Sequence, residues 1–322
     1  MDVLTHGDAR LPELTPARVL DTWTFDPLLI AALVLAAGLY LYAVSRLRAS
    51  GVPWSTGRCV LWLTGLLIIF VATSSSVGAY DTTLFTMHAV QHMLLQMLAP
   101  VPLALAAPIT LALRTLPRPS RRALLAVLRS RASKVVTHPL TAYGIFVISP
   151  FVLYYSPLYE ATLRNAWLHD LGHLHFILSG FLLFAVLLAL DPLPHRMPYV
   201  LRVMMIIGLG PMHVLLGIPV MMGSEIFAES YYTELGRDWG PSLLSDQQVG
   251  GGLLWVFGDV VTISFLAGIF LQWLRSDARD ARRVDRQLDR LHGDAARIPA
   301  PWTVAADPPA LPAQRAAEQR AE

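Results

Sequence analysis

A single cysteine, Cys59, stands among 322 residues. An internal disulfide framework is therefore excluded, and so is any CxxC metal motif, which leaves histidine, methionine and carboxylate groups to hold any bound metal. Charge is scarce as well: charged residues make up 15% of the chain against 54% hydrophobic ones, and the mean hydropathy is +0.50. That balance excludes an ordinary soluble domain and implies a polytopic membrane protein. The only lysine, Lys134, falls in a connection between spans, so a retinal-type photoreceptor, which needs a Schiff base inside the bundle, is excluded too. The chain has no apolar run of signal-peptide type after a basic start. Its polar first 26 residues are expected to form an uncleaved, loosely ordered tail.

What the sequence does have is long apolar runs. Asp26 as a cap and Pro27 at the first helical position open a span over Pro27–Val44. A second is expected over Cys59–Val77. The third begins near Leu84 and reaches Arg114, with Pro100, Pro102 and Pro108 kinking or breaking it. The rest are expected at Pro139–Tyr155, His169–Leu190, Tyr199–Met222 and Gln248–Trp273, each near the twenty or so residues that cross about 30 Å of hydrocarbon. The fold class is thus all-α, a seven-helix transmembrane bundle.

Basic residues orient it. Counting the Lys and Arg of alternate connections gives twenty-one on one side and four on the other, so the N-terminus is expected outside and the C-terminus in the cytoplasm of a multi-pass bacterial plasma-membrane protein. Residues 1–26 then form the extracytoplasmic tail, 27–274 the membrane domain, and 275–322 a charged cytoplasmic tail, helical from Arg275 to Arg297 and disordered from Ile298 onward. The connection RPSRRALLAVLRSRASK is expected to lie on the anionic inner leaflet as a short basic amphipathic helix.

The chemistry gathers at the opposite end. In MHAVQHMLLQM, His88 and His92 are four residues apart and share one helix face, with Met93 and Met97 repeating that spacing beside them. The fifth span opens HDLGHLH, where His169 and His173 make a second pair at matching depth and His175 points elsewhere. His213 falls in the same half of the sixth span, after Gly208, Gly210 and Pro211, where a broken helix can turn it inward. Histidine within a lipid-spanning helix is costly enough to signal function, and imidazole with thioether favours copper, Cu(I) in particular, over magnesium or calcium. The bland readings are interfacial imidazoles and methionine packing. They suffice for His6, His138, His175, His195 and His292, and for Met204, Met205, Met221 and Met222. In the connection Gly223–Asp246, the acidic residues with Tyr231, Tyr232 and Trp239 suggest a lid or docking surface. The seventh span opens DQQVGGGLLW, with Asp246 as its cap and Gly250, Gly251 and Gly252 permitting close helix approach. Asp259 lies thirteen residues further, near mid-membrane, where a carboxylate must be paired or protonated and has a structural or proton-handling role.

Three stretches carry a family resemblance: MHAVQHMLLQMLAPVPLALAAPITLALR, then HPL with SPLYEATLRNAWLHDLGHLHFILSG, and DQQVGGGLLW. Together they make the chain similar to the CtaG-type polytopic membrane family of cytochrome c oxidase assembly factors. The family's fifth-span motif carries an acid before its second histidine. Here Gly172 stands there, so the acidic partner is either missing or supplied by Asp170. The resemblance implies a non-enzymatic role in maturing the copper-containing oxidase of the respiratory chain, with oxidase subunits and the lipid bilayer as partners and no nucleic acid. On this reading the protein is a metallochaperone that holds copper through His88, His92 and His173, with His169, His213 and Met93 as further ligands and Asp246, Gln247 and Asp259 supporting or gating the site. Two alternatives remain open at this point. One is a haem-binding membrane electron carrier with His92 and His173 as axial ligands; the other is a metal-free assembly scaffold whose histidines bond helix to helix.

Overall fold

The computed structural model describes residues 11–195 and 197–292. Expectations for the first ten residues, for the side chain of His292 and for the tail from Ile298 lie outside the described residues. Among those described, all regular structure is helical and no strand occurs.

After a single turn, α1 (Arg18–Asp21), the first long helix is α2 (Pro27–Ala49). Its Asp26 carboxylate accepts the backbone N–H groups of Leu28 at 2.8 Å and Leu29 at 3.2 Å, which satisfies donors that the first helical turn leaves unpaired. Next come α3 (Thr56–Ser74) and α4 (Ser76–Tyr80), which together make one span of 25 residues.

The third span is built in pieces. Its first, α5 (Phe85–Met93), passes into a π-helical turn at Leu94–Leu98, then α6 (Pro100–Leu105) and α7 (Pro108–Thr115). Pro100 and Pro102 do not break the span, because both fall in the first turn of α6, where a missing N–H costs little. The preceding turn widens instead, the Ala99 N–H reaching back to the Leu94 carbonyl at 2.9 Å. The real break is at Ala107, which adopts φ 52°. The freed N-terminus of α7 is then capped from another part of the chain: Asp191 accepts the N–H groups of Ile109 and Thr110 and the Thr110 hydroxyl.

Two basic helices follow, α8 (Arg118–Arg129) and α9 (Arg131–Val136), as the arginine-rich connection predicts. The fourth span is α10 (Pro139–Tyr154), bent by 73° from α11 (Leu158–Arg164). Then come α12 (Ala166–Leu188), α13 (Tyr199–Ile207), α14 (Leu209–Met222), α15 (Glu229–Leu235) and α16 (Leu243–His292). The sixth span is indeed broken, at Gly208 between α13 and α14. By length and apolar composition six of these helical stretches can cross a membrane, and seven if the bent α10–α11 pair counts as one span.

The chain divides into two compact units, residues 1–270 and 271–322. Over its described residues the second unit is helix, with Arg275, Arg279, Arg282, Arg283 and Arg286 exposed.

In the first unit the core runs the length of α12, where Phe176, Leu183, Phe184 and Leu187 are buried together with Met93, Leu95 and Met97 of the third span. Without a hydrophobic driving force between helices in lipid, close backbone approach supplies the dispersion contacts. A Cβ at Gly180 of α12 would collide with the Gln96 carbonyl oxygen, so α12 and the π turn touch backbone to backbone. Likewise a Cβ at Gly251 of α16 would meet the Met221 nitrogen at 2.5 Å. That crossing is the close approach expected of the glycine triplet.

Candidate metal centre

Two helices enter the bundle in the same direction and bring their histidines into register. On α5 the His88 and His92 rings lie 4.0 Å apart between centroids, and on α12 those of His169 and His173 lie 4.4 Å apart. Across the interface His88 faces His169 at 5.5 Å and His92 faces His173 at 6.1 Å. The four-residue spacing puts each pair on one face, and the packing of α12 against the π turn and α6 of the third span turns both faces toward each other. All four imidazoles are buried.

Two residues that sequence reasoning passed over complete the centre. Asp81, just past α4, is fully buried, and its Oδ2 lies 3.1 Å from His169 Nε2. Asp81, His169 and His173 can each place one donor atom within 4.8 Å of the others, a spacing that fits a shared metal ion. The carboxylate at this centre thus comes from Asp81, where the fifth-span motif pointed to Asp170. A signal was present: Asp81 is the one charged residue between Arg58 and Arg114. The other residue is Gln91, whose Nε2 donates to the Ala72 carbonyl at 3.1 Å, so that its Oε1 faces His173 Nε2 at 2.8 Å. In a neutral imidazole this places the proton on Nε2 and makes Nδ1 the lone-pair nitrogen, the tautomer control typical of metal-binding histidines.

An aromatic wall closes the site. The Tyr154 hydroxyl lies 3.3 Å from His92 Nδ1, the Tyr159 ring 4.8 Å from that of His88, and Phe176 4.5 Å from His92. Tyr159 in turn shares a 2.7 Å hydrogen bond with Tyr232 on α15. Burial holds the Tyr232 phenol well above its ordinary range, so it takes part as a neutral group. His88 is the exception to this dense pairing. It is wholly buried, and among the described residues neither ring nitrogen makes a hydrogen bond of good geometry, the Asp81 backbone being the nearest polar group acting on the ring; an unmet nitrogen there costs about 1–3 kcal/mol unless something takes the lone pair.

The other expected site residues lie elsewhere. Asp246 does not cap its own helix: α16 starts three residues earlier, and there the Ser242 hydroxyl accepts the Ser245 N–H. Instead the Asp246 carboxylate crosses to α5, accepting the N–H groups of Phe85 at 2.7 Å and Thr86 at 3.2 Å, and so fixes the start of the helix that carries His88 and His92. Gln247 holds the connection before α15 through the Phe227 N–H and the Glu225 carbonyl. His213 is buried on α14, with Nδ1 3.5 Å from Asp259 Oδ1, and Asp259 also accepts Trp255 Nε1–H at 3.0 Å. Met93, although next to His92 in sequence, lines a small cavity with Met212 and His213. His175 bonds Ser149 at the surface, and His195 bonds the Lys134 carbonyl, in keeping with ordinary roles.

The family model described as cytochrome c oxidase caa3 assembly factor matches residues 38–276. The chain belongs to this family. An uncharacterized protein of Mycobacterium bovis and one of Mycobacterium tuberculosis are each 37% identical to it over 287 residues, 87% of this chain and 43% of theirs. An uncharacterized Mycobacterium leprae protein is 34% identical over 286 residues, 86% of this chain and 43% of its own. The chain therefore spans less than half the length of the curated relatives it matches. No solved structure matches it. The caa3 assembly-factor family match covers α5, α12 and α16 as far as residue 276, and with them every residue of the centre described above.

Proposed function

We propose that this protein binds copper at the Asp81–His88–His92–His169–His173 centre and passes it, as cargo, to an assembling cytochrome c oxidase. The observation that carries the reading is the cluster itself: four buried imidazoles beside the buried Asp81 carboxylate, with His88 forming no hydrogen bond of good geometry among the described residues. A metal ion satisfies such a group where packing alone does not. Four imidazoles and a carboxylate are borderline ligands that suit Cu(II) as readily as Cu(I), and they suit copper far better than magnesium or calcium. Seven spans and the lopsided count of basic residues support an extracytoplasmic N-terminus and a cytoplasmic C-terminus, with residues 1–26 as the outer tail, 27–274 as the membrane domain of a bacterial plasma-membrane protein and 275–322 as the inner tail. On that orientation the centre lies in the extracytoplasmic half of the membrane.

The function is delivery, and no reaction is assigned to the site. Copper titration of purified protein tests it. The wild type is expected to take up copper and the His169→Ala/His173→Ala and His88→Ala/His92→Ala variants to lose that ion; equal stoichiometry and affinity in all three would eliminate the site.

One observation favours a second reading, a metal-free scaffold: Asp81, Gln91 and Tyr154 already engage His169, His173 and His92. Oxidase activity restored to a deletion strain by the histidine variants decides for it. The haem alternative has less support. His92 packs on Phe176 and lies at hydrogen-bond distance from Tyr154, and a macrocycle between His92 and His173 would have to displace both. A colourless preparation with no Soret band is the expected outcome.

A further inference from the structure

His213, Asp259, Met93 and Met212 form a second polar locus that the four-imidazole centre does not absorb. Among the described residues, no ring contact joins His213 to the other four histidines. Its ring is clamped from one side, since a Cβ at Gly258 would lie 2.6 Å from His213 Cγ, so the α16 backbone presses directly on the imidazole. From another side Asp259 Oδ1 stands 3.5 Å from His213 Nδ1, and the carboxylate is anchored by the Trp255 indole N–H at 3.0 Å. His213 is only 6% exposed and its Nδ1 lacks a formed hydrogen bond. His213 lines a small, partly open cavity of about 20 Å³, whose wall also includes Met93, Gln96 and Met212. That volume is enough to admit a water-sized particle. Gln96 spends its Nε2 on the Phe146 carbonyl.

We propose that this cavity is a second, one-ion site for a soft monovalent cation, Cu(I), held by the Met93 and Met212 sulfurs and His213 Nε2, with Asp259 orienting the imidazole and balancing the charge. Methionines beside a cavity are most often packing, but packing does not need a histidine clamped by a carboxylate and a glycine against the same void. Two thioethers and an imidazole are the soft donor set that selects Cu(I). A carboxylate behind a ligating imidazole fixes the nitrogen that binds, and it leaves the loaded site neutral, as a group in a membrane-spanning helix requires. Met93 follows His92 directly on α5, so one helix serves both sites: the harder imidazole–carboxylate donors of the first and the softer thioether donors of the second. The inference takes the copper reading above for the identity of its ion.

The test uses the full-length protein under reducing conditions, titrated with Cu(I) against a chromogenic chelator and, separately, with Ag(I). X-ray absorption of the loaded samples reports sulfur ligation. The wild type is expected to bind two ions and to show metal–sulfur scattering. Met93→Leu/Met212→Leu, a nearly volume-conserving change that keeps the core filled, is expected to bind one ion and to lose the sulfur scattering. Asp259→Asn is expected to keep the stoichiometry and weaken the sulfur-ligated ion about 10–100-fold. A wild type without sulfur scattering, or a Met93→Leu/Met212→Leu variant with unchanged stoichiometry and scattering, overturns the proposal. The His169→Ala/His173→Ala variant separates the two readings. Loss of one ion with sulfur scattering retained upholds both sites, whereas two ions still bound defeats the imidazole centre and leaves this one standing.

Discussion

His138 and His195, near the arginine-rich helices, have rings 5.2 Å apart between centroids, within the range of separations found among the four clustered histidines. Yet His138 is exposed and His195 half-buried, and His195 bonds a backbone carbonyl. The clustered four are buried, meet a fully buried carboxylate and include one imidazole whose nitrogens make no hydrogen bond of good geometry among the described residues. Proximity of two imidazoles therefore does not make a site. What distinguishes the cluster is removal from water, which makes each unsatisfied nitrogen expensive and each ligand bond to an ion correspondingly valuable.

The sharpest way to break that contrast is Asp81→Ala. It leaves His169 buried without its anionic partner, and a destabilisation of about 3 kcal/mol is expected together with loss of copper binding. Thermal unfolding in detergent and metal titration both read it; a stable, copper-binding Asp81→Ala protein would contradict the centre as drawn. Gln91→Leu is next. By leaving the His173 tautomer unset and one buried nitrogen unpaired it is expected to cost about 1–3 kcal/mol and to weaken copper about 10–100-fold, whereas Gln91→Glu, which keeps an acceptor at that position, should recover part of the affinity. Asp246→Ala removes the cap on α5 from outside the centre. A loss of about 1–2 kcal/mol is expected with copper stoichiometry unchanged, which separates positioning of the helix from ligation. Smallest of all, His138→Ala/His195→Ala should alter stability by no more than about 0.5 kcal/mol and leave copper uptake as it was.

Spacing made much of the centre legible. His88 with His92 and His169 with His173 share faces because an α-helix repeats every 3.6 residues, and both helices entering in one direction placed the pairs level. Asp259 read as a carboxylate either paired or protonated, and it stands 3.5 Å from His213 while accepting the Trp255 indole N–H. The partners were a different matter. Asp81 and Gln91 reach the imidazoles from the α4 end and from within the third span, and their side-chain directions depend on how α3, α5 and α12 pack. Asp246 read as the cap of its own helix; that helix begins a turn sooner, which turned the carboxylate toward the N-terminus of α5. His213 read as a member of the same cluster, and the break at Gly208 together with the pressure of Gly258 gave it Asp259 and the methionine-lined cavity instead.

Composition and periodicity alone determined that the chain is helical, that it has enough apolar spans for a membrane, and that its histidines come in stacked pairs, because hydrophobic burial and helical repeat act within a single element. Only the tertiary structure decided which acid and which amide meet those histidines and that His213 and Met93 lie apart from them. Those choices depend on the crossing of separate helices, and the contacts that set a crossing lie far apart along the chain.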